Sequence, residues 1–189
     1  MIGSLIEGIE SLRLPCSWVL LIPGIAVVVF GRRRTPLVVA SFAITAMVVA
    51  WLRFAGWWFA VPNGLVQVGL GLSIVATATM AWRSDSALTD ILIAGVTGLA
   101  AAWSWIPCVG PELGEILNGS RTNPFQHIGG TIAFLSGQFL PFILIAAIGV
   151  FWPRVAKRLE RRPVITAGTL LLIFVGFLFV TTQFDDIAS

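Results

Sequence analysis

Long apolar runs separated by short polar stretches set the pattern of this chain. Six runs are legible, at roughly residues 4–30, 36–57, 64–82, 89–117, 125–152 and 163–182. Each has about 19 to 29 residues, and a helix needs about 20 to cross the hydrocarbon core of a bilayer. The spacing predicts six membrane helices. Their connections are too short to hold a soluble domain, so residues 1–189 read as a single membrane domain. Prolines interrupt two runs, Pro15 in the first and Pro107 in the fourth, and the fifth contains Pro141.

Composition agrees with this reading. The 189 residues are 57% hydrophobic and 11% charged, and mean hydropathy is +0.94. A soluble domain carries about 25% charge. The net charge of +3 raises nucleic acid as a partner, but most basic residues lie in short clusters between apolar runs, where membrane topology accounts for them. The lipid bilayer is the partner this chain requires, and nucleic acid is not expected. The first, third and fifth connections hold Arg32, Arg33, Arg34, Arg83, Arg154, Lys157, Arg158, Arg161 and Arg162; the opposite side holds Arg13, Arg53 and Arg121. Basic loops stay in the cytoplasm, so both termini are predicted outside. The expected location is the cytoplasmic (inner) membrane of a prokaryote or an equivalent organelle membrane. Trp51, Trp57, Trp58, Trp82 and Trp152 fall near run ends, as an interfacial aromatic belt requires. The start shows no basic region followed by an apolar core and cleavage site, and predicts no removable signal peptide.

The chemistry concentrates at the two breaks. There are two cysteines, Cys16 in Leu14-Pro15-Cys16 and Cys108 in Trp105-Ile106-Pro107-Cys108-Val109-Gly110-Pro111-Glu112. A broken helix in lipid is tolerated only where protein or a water-filled cavity covers it. A thiol exchanges with a disulfide as the thiolate, and a helix N-terminus favours that form. A cysteine directly after a helix-breaking proline is able to sit at the start of the resumed half-helix, and both cysteines meet this condition. Gly110 gives the backbone freedom to turn, and Pro111 suits the first turn of the resumed helix. A lone membrane cysteine is usually a small inert hydrophobe. Two of them, each in a proline break and nearly half the chain apart, read as partners. Two cysteines make at most one disulfide and cannot supply a four-ligand zinc site; no metal and no cofactor is expected.

The placing of the two breaks also predicts an inverted repeat. Each proline–cysteine break lies in the first helix of a three-helix unit, one at about residues 1–88 and the other at about 89–189. Three is odd, so the second unit enters the membrane from the opposite side. That is the arrangement used for alternating access around a midplane site. Glu112, four residues past Cys108, has two readings: a proton acceptor in thiol chemistry, or a group that bonds free backbone at the break. Glu115 and His127 read as residues of the outer interface. Thr131, Ser136 and Gln138 precede Pro141 and either line a cavity or join helices by hydrogen bonds.

These residues resemble the CcdA/DsbD transmembrane family of thiol–disulfide electron carriers. Residues 105–111 with Leu113-Gly114 are similar to that family's second cysteine motif. Leu140-Pro141-Phe142-Ile143-Leu144 resembles its fifth-helix proline motif, and Ala167-Gly168-Thr169-Leu170-Leu171-Leu172 with Gly176 its last helix. In the first half, Leu14-Pro15-Cys16 with Ile22-Pro23-Gly24 resembles the first motif, with one extra residue between cysteine and Pro-Gly and with Val19 at the place of a third proline. Glu112 replaces an apolar residue, and the second helix lacks the family's glycines. The resemblance implies an all-α fold of six helices in two inverted three-helix repeats, with helices one and four broken at Pro-Cys and the cysteines facing each other near midmembrane. It implies catalytic Cys16 and Cys108, supported by Pro15, Pro107, Gly110, Pro111, Glu112 and Pro141. The implied function is a thiol–disulfide oxidoreductase-type electron transporter. It would pass reducing equivalents from cytoplasmic thioredoxin to extracytoplasmic thioredoxin-like proteins, often for cytochrome c maturation. Two other classes stay open on the residues alone: a noncatalytic diverged subunit of a larger membrane complex, and a transporter for a soft metal ion using the two thiolates.

Overall fold

The computed structural model describes residues 2–13, 17–30, 35–54, 63–83, 86–105, 128–151 and 162–181. Seven α-helices account for nearly all of these: α1 (Ile2–Glu10), α2 (Trp18–Phe30), α3 (Thr35–Phe54), α4 (Asn63–Arg83), α5 (Ala87–Trp105), α6 (Ile128–Phe151) and α7 (Arg162–Val180). A 3₁₀ turn, Ser11–Arg13, follows α1. No strand occurs among the described residues. Each of the six apolar runs contains a helix, and the first contains two.

The distribution of side chains is that of a membrane protein. Large apolar residues point outward, including Ile44, Leu65, Leu72, Leu170, Phe174 and Phe177, each more than half exposed. A soluble monomer does not present so much apolar surface. Polar side chains go inward: Ser11, Ser17, Gln67, Asp90, Ser104, Thr131 and Gln138 are all buried. The exposed hydroxyls of α4 return to their own helix, Ser73 donating to the Gly69 carbonyl at 2.8 Å and Thr79 to the Ala76 carbonyl at 2.8 Å. In lipid no water is available to accept those bonds. Among the described residues, two helices are long and apolar enough to cross a membrane, Ala87–Ser104 and Ile128–Ile145. A third span arises if Ile2–Arg13 and Trp18–Val29, bent by 86°, count as one; Pro36–Leu52, Gly64–Met80 and Thr166–Val180 are shorter apolar helices.

Because lipid is as apolar as the helix surfaces, packing rests on close approach through small residues. α1 lies on α6 with Gly8 against the Phe134 carbonyl and the Gly137 Cα. α4 lies on α7 with Gly71 against Gly176, where an added Cβ on Gly71 would stand 2.6 Å from the Gly176 carbonyl oxygen. α5 lies on α3 with Gly98 against the Phe42 carbonyl, and the Ser41 hydroxyl donates to the Ile91 carbonyl at 3.1 Å across the same pair. α2 packs between α5 and α7 and reaches α3 and α6. The centre is filled by Val19, Leu20, Val27, Phe42, Ile74, Ile93, Phe139, Phe142, Leu172 and Val175. Phe42 meets Phe139 and Phe142 edge-on, and the three rings cluster with centroids 5.6 to 6.0 Å apart, joining α3 to α6.

Candidate functional site

The first break can be built from its two flanks. In an unbroken helix the N–H of residue 15 would donate to the carbonyl of Ser11. Proline has no N–H, so that carbonyl needs another donor. The Ser17 hydroxyl supplies it, at 2.5 Å. The chain leaves α geometry at Ser11, takes the 3₁₀ turn, and resumes as α2 at an angle of 86° to its first part. The Ser11 hydroxyl in turn donates to the Gly8 carbonyl at 2.8 Å, closing the end of α1.

Gln138 of α6 joins this pair. Its Nε2 donates to Ser11 Oγ at 2.5 Å and lies 3.4 Å from Ser17 Oγ. Both serine protons are already committed to carbonyls, so both hydroxyl oxygens act as acceptors here and the amide must turn its nitrogen toward them. Gln138 is 1% exposed, Ser17 1% and Ser11 7%. A polar cluster thus holds the two sides of the break against α6 inside an apolar bundle. Of the three polar residues singled out on the fifth run, Gln138 and Thr131 are buried and Ser136 is half-buried.

Three residues later α6 passes through Pro141, which is half-buried and inside the helix. Phe142 then packs directly on Gly24 of α2, where an added Cβ would run into the ring. Pro23 lies beside Gly24, buried within α2. The Pro-Gly of the first motif and the Pro-Phe of the fifth-helix motif therefore meet in space. The last described turn of α5 carries a related contact: Gln67 Nε2 of α4 donates to Ser104 Oγ at 3.2 Å, with both residues buried and Ser104 three residues before Pro107 in the sequence.

Of the residues predicted for the site, Pro141 is described. Pro15, Cys16, Pro107, Cys108, Gly110, Pro111 and Glu112 lie outside the described residues, as do Glu115 and His127. Among the described residues no three His, Cys, Asp or Glu side chains gather as metal ligands. Sequence reading passed over Ser11 and Ser17, whose value depends on a carbonyl freed by Pro15. It also passed over Asp90, 3% exposed in the first turn of α5, where the helix N-terminus favours a carboxylate. An acidic residue at the start of an apolar run was the available signal.

Comparison with known proteins gives two similar chains. One is a "Cytochrome c-type biogenesis protein CcdA" of Halalkalibacterium halodurans, 26% identical over 133 residues, which are 67% of this chain and 53% of the relative. The other is a Haemophilus influenzae protein described, provisionally, as a cytochrome c-type biogenesis protein, 24% identical over 127 residues, 65% of this chain and 60% of the relative. The chain thus matches little more than half the length of these curated relatives. No protein-family model and no solved structure matches it. The two relatives bear out the resemblance to the CcdA/DsbD family carried by the motifs.

Proposed function

We propose that this membrane protein, similar to CcdA/DsbD proteins, carries electrons across the bilayer by thiol–disulfide exchange at Cys16 and Cys108, in support of cytochrome c maturation. The observation that carries the reading is the first break. A costly interruption in an apolar bundle is held together by a dedicated buried polar cluster, and the residue between Pro15 and Ser17 is a cysteine. The meeting of Gly24 with Phe142 adds support, because it joins two motifs of the resemblance at one place.

The exchange proceeds in two handovers. A thiolate of reduced cytoplasmic thioredoxin attacks one sulfur of the Cys16–Cys108 disulfide. A mixed disulfide forms and the other cysteine leaves as thiolate. The second thioredoxin thiol attacks the mixed disulfide, giving oxidised thioredoxin and the reduced pair in the membrane. The pair then reduces an extracytoplasmic thioredoxin-like disulfide by the same two steps. Two electrons and two protons pass per cycle, and no bound cofactor is required. About 30 mV of potential difference is worth about 1.4 kcal/mol for such a couple.

Alternating access follows from two inverted three-helix repeats with both termini outside. Helix packing is compatible with this: α1 on α6 corresponds to α5 on α3, while α3 with α6 and α4 with α7 are pairs that a twofold axis maps onto themselves. Pro107, Gly110, Pro111 and Glu112 would do for Cys108 what Pro15 does for Cys16. The test is trapping. Cys16→Ser or Cys108→Ser is expected to accumulate a mixed disulfide with a thioredoxin-like protein on at least one side of the membrane. If neither variant does, the reading is wrong.

A further inference from the structure

Gln138 is connected to the first break in a way that goes beyond joining two helices. Its nitrogen donates to Ser11 and faces Ser17, which stand on either side of residues 14–16. Its orientation is fixed by the serine protons, which are both spent on carbonyls. That leaves Oε1 as an acceptor, buried and without a partner among the described residues. A buried amide oxygen requires a donor, and the amide is committed to the break through its nitrogen. Ser17 is bonded covalently to Cys16. Anything that fixes Ser17 also fixes one end of the cysteine's backbone.

We propose that Gln138 is a positioning residue for Cys16: by clamping Ser11 and Ser17 across the Pro15 break, it restrains the cysteine and limits attack on its thiol. This rests on the exchange reading above, but its test does not need a redox partner. In a Cys108→Ser background Cys16 is the only thiol, and its rate of alkylation by a maleimide reads its reactivity directly. Loss of one clamp bond is expected to raise that rate by about five- to tenfold, in Gln138→Leu and in Ser17→Ala alike. Ser17→Thr keeps the hydroxyl and is expected to keep the parent rate. Gln67→Leu removes the same chemistry from the contact with Ser104 and is expected to leave Cys16 unchanged.

The proposal is overturned if Gln138→Leu and Ser17→Ala both stay within about twofold of the parent, or if Gln67→Leu raises the Cys16 rate as much as they do. Should Gln138→Leu fail to accumulate, the pair Ser17→Ala and Ser17→Thr decides. Faster alkylation without any trapped partner would sink the exchange reading and leave the clamp standing. Trapped partners with unchanged alkylation would do the reverse.

Discussion

One absent Cβ sets how closely α2 approaches α6. At Gly24 any larger side chain meets the Phe142 ring, and that ring is held by Phe42 and Phe139 in the centre of the bundle. The ring has little room to yield, so Gly24→Ala is expected to destabilise the protein by about 1–3 kcal/mol. The measurement is the thermal unfolding midpoint in detergent micelles. Combining it with Phe142→Leu should recover part of the loss, since residues in contact couple by about 0.5–3 kcal/mol; purely additive effects would place the strain elsewhere. At this scale the sequence showed motifs but not their partners. Ile22-Pro23-Gly24 and Leu140-Pro141-Phe142 were both legible as unusual, and nothing in either announced that they touch. Ser11 and Gln138 are 127 residues apart, and a serine looks the same whether or not it closes an orphaned carbonyl.

Among the elements, α6 carries the greatest mechanical burden. It packs on α1 through Gly137, clamps the first break through Gln138, runs on through Pro141 and seats Phe142 on α2. Pro141 leaves the Gly137 carbonyl without its helical donor, and Gly137 lies against Leu5 and Gly8 of α1. Pro141→Ala restores that bond and stiffens the element. It is expected to keep or raise thermal stability while slowing electron transfer about tenfold, since about half of the roughly 3 kcal/mol that an interior proline costs a helix is enough for that rate change. The readouts are the unfolding midpoint and the reduction rate of an extracytoplasmic thioredoxin-like substrate; unchanged transfer would make Pro141 a packing feature. Element positions were the most legible part of the chain. α4 at Asn63–Arg83 and α7 at Arg162–Val180 lie within two residues of the apolar runs at 64–82 and 163–182, because hydropathy alone marks where a helix enters lipid. The interruption near Pro15 was legible too. It begins earlier, at Ser11, because a proline disturbs the turn before it.

At the scale of the whole molecule, the arrangement is apolar outside and selectively polar inside, and two of the buried polar contacts flank the proline–cysteine motifs in the sequence. Gln138 with Ser11 and Ser17 brackets Pro15-Cys16, and Gln67 bonds Ser104, three residues before Pro107. Composition made the membrane class evident, and the basic clusters predict an orientation. The pairing of helices was not legible, because it depends on which glycines face one another, and a glycine in a membrane helix carries no mark of its partner. The central claim concerns a single bond, so the most direct test follows that bond. Purified protein is oxidised, then incubated with reduced thioredoxin, and the state of both cysteines is read by differential alkylation and peptide mass. The account predicts a Cys16–Cys108 disulfide in the oxidised protein and two alkylated thiols after thioredoxin. Two thiols that stay free under oxidation, or a disulfide that reduced thioredoxin leaves intact, would contradict it.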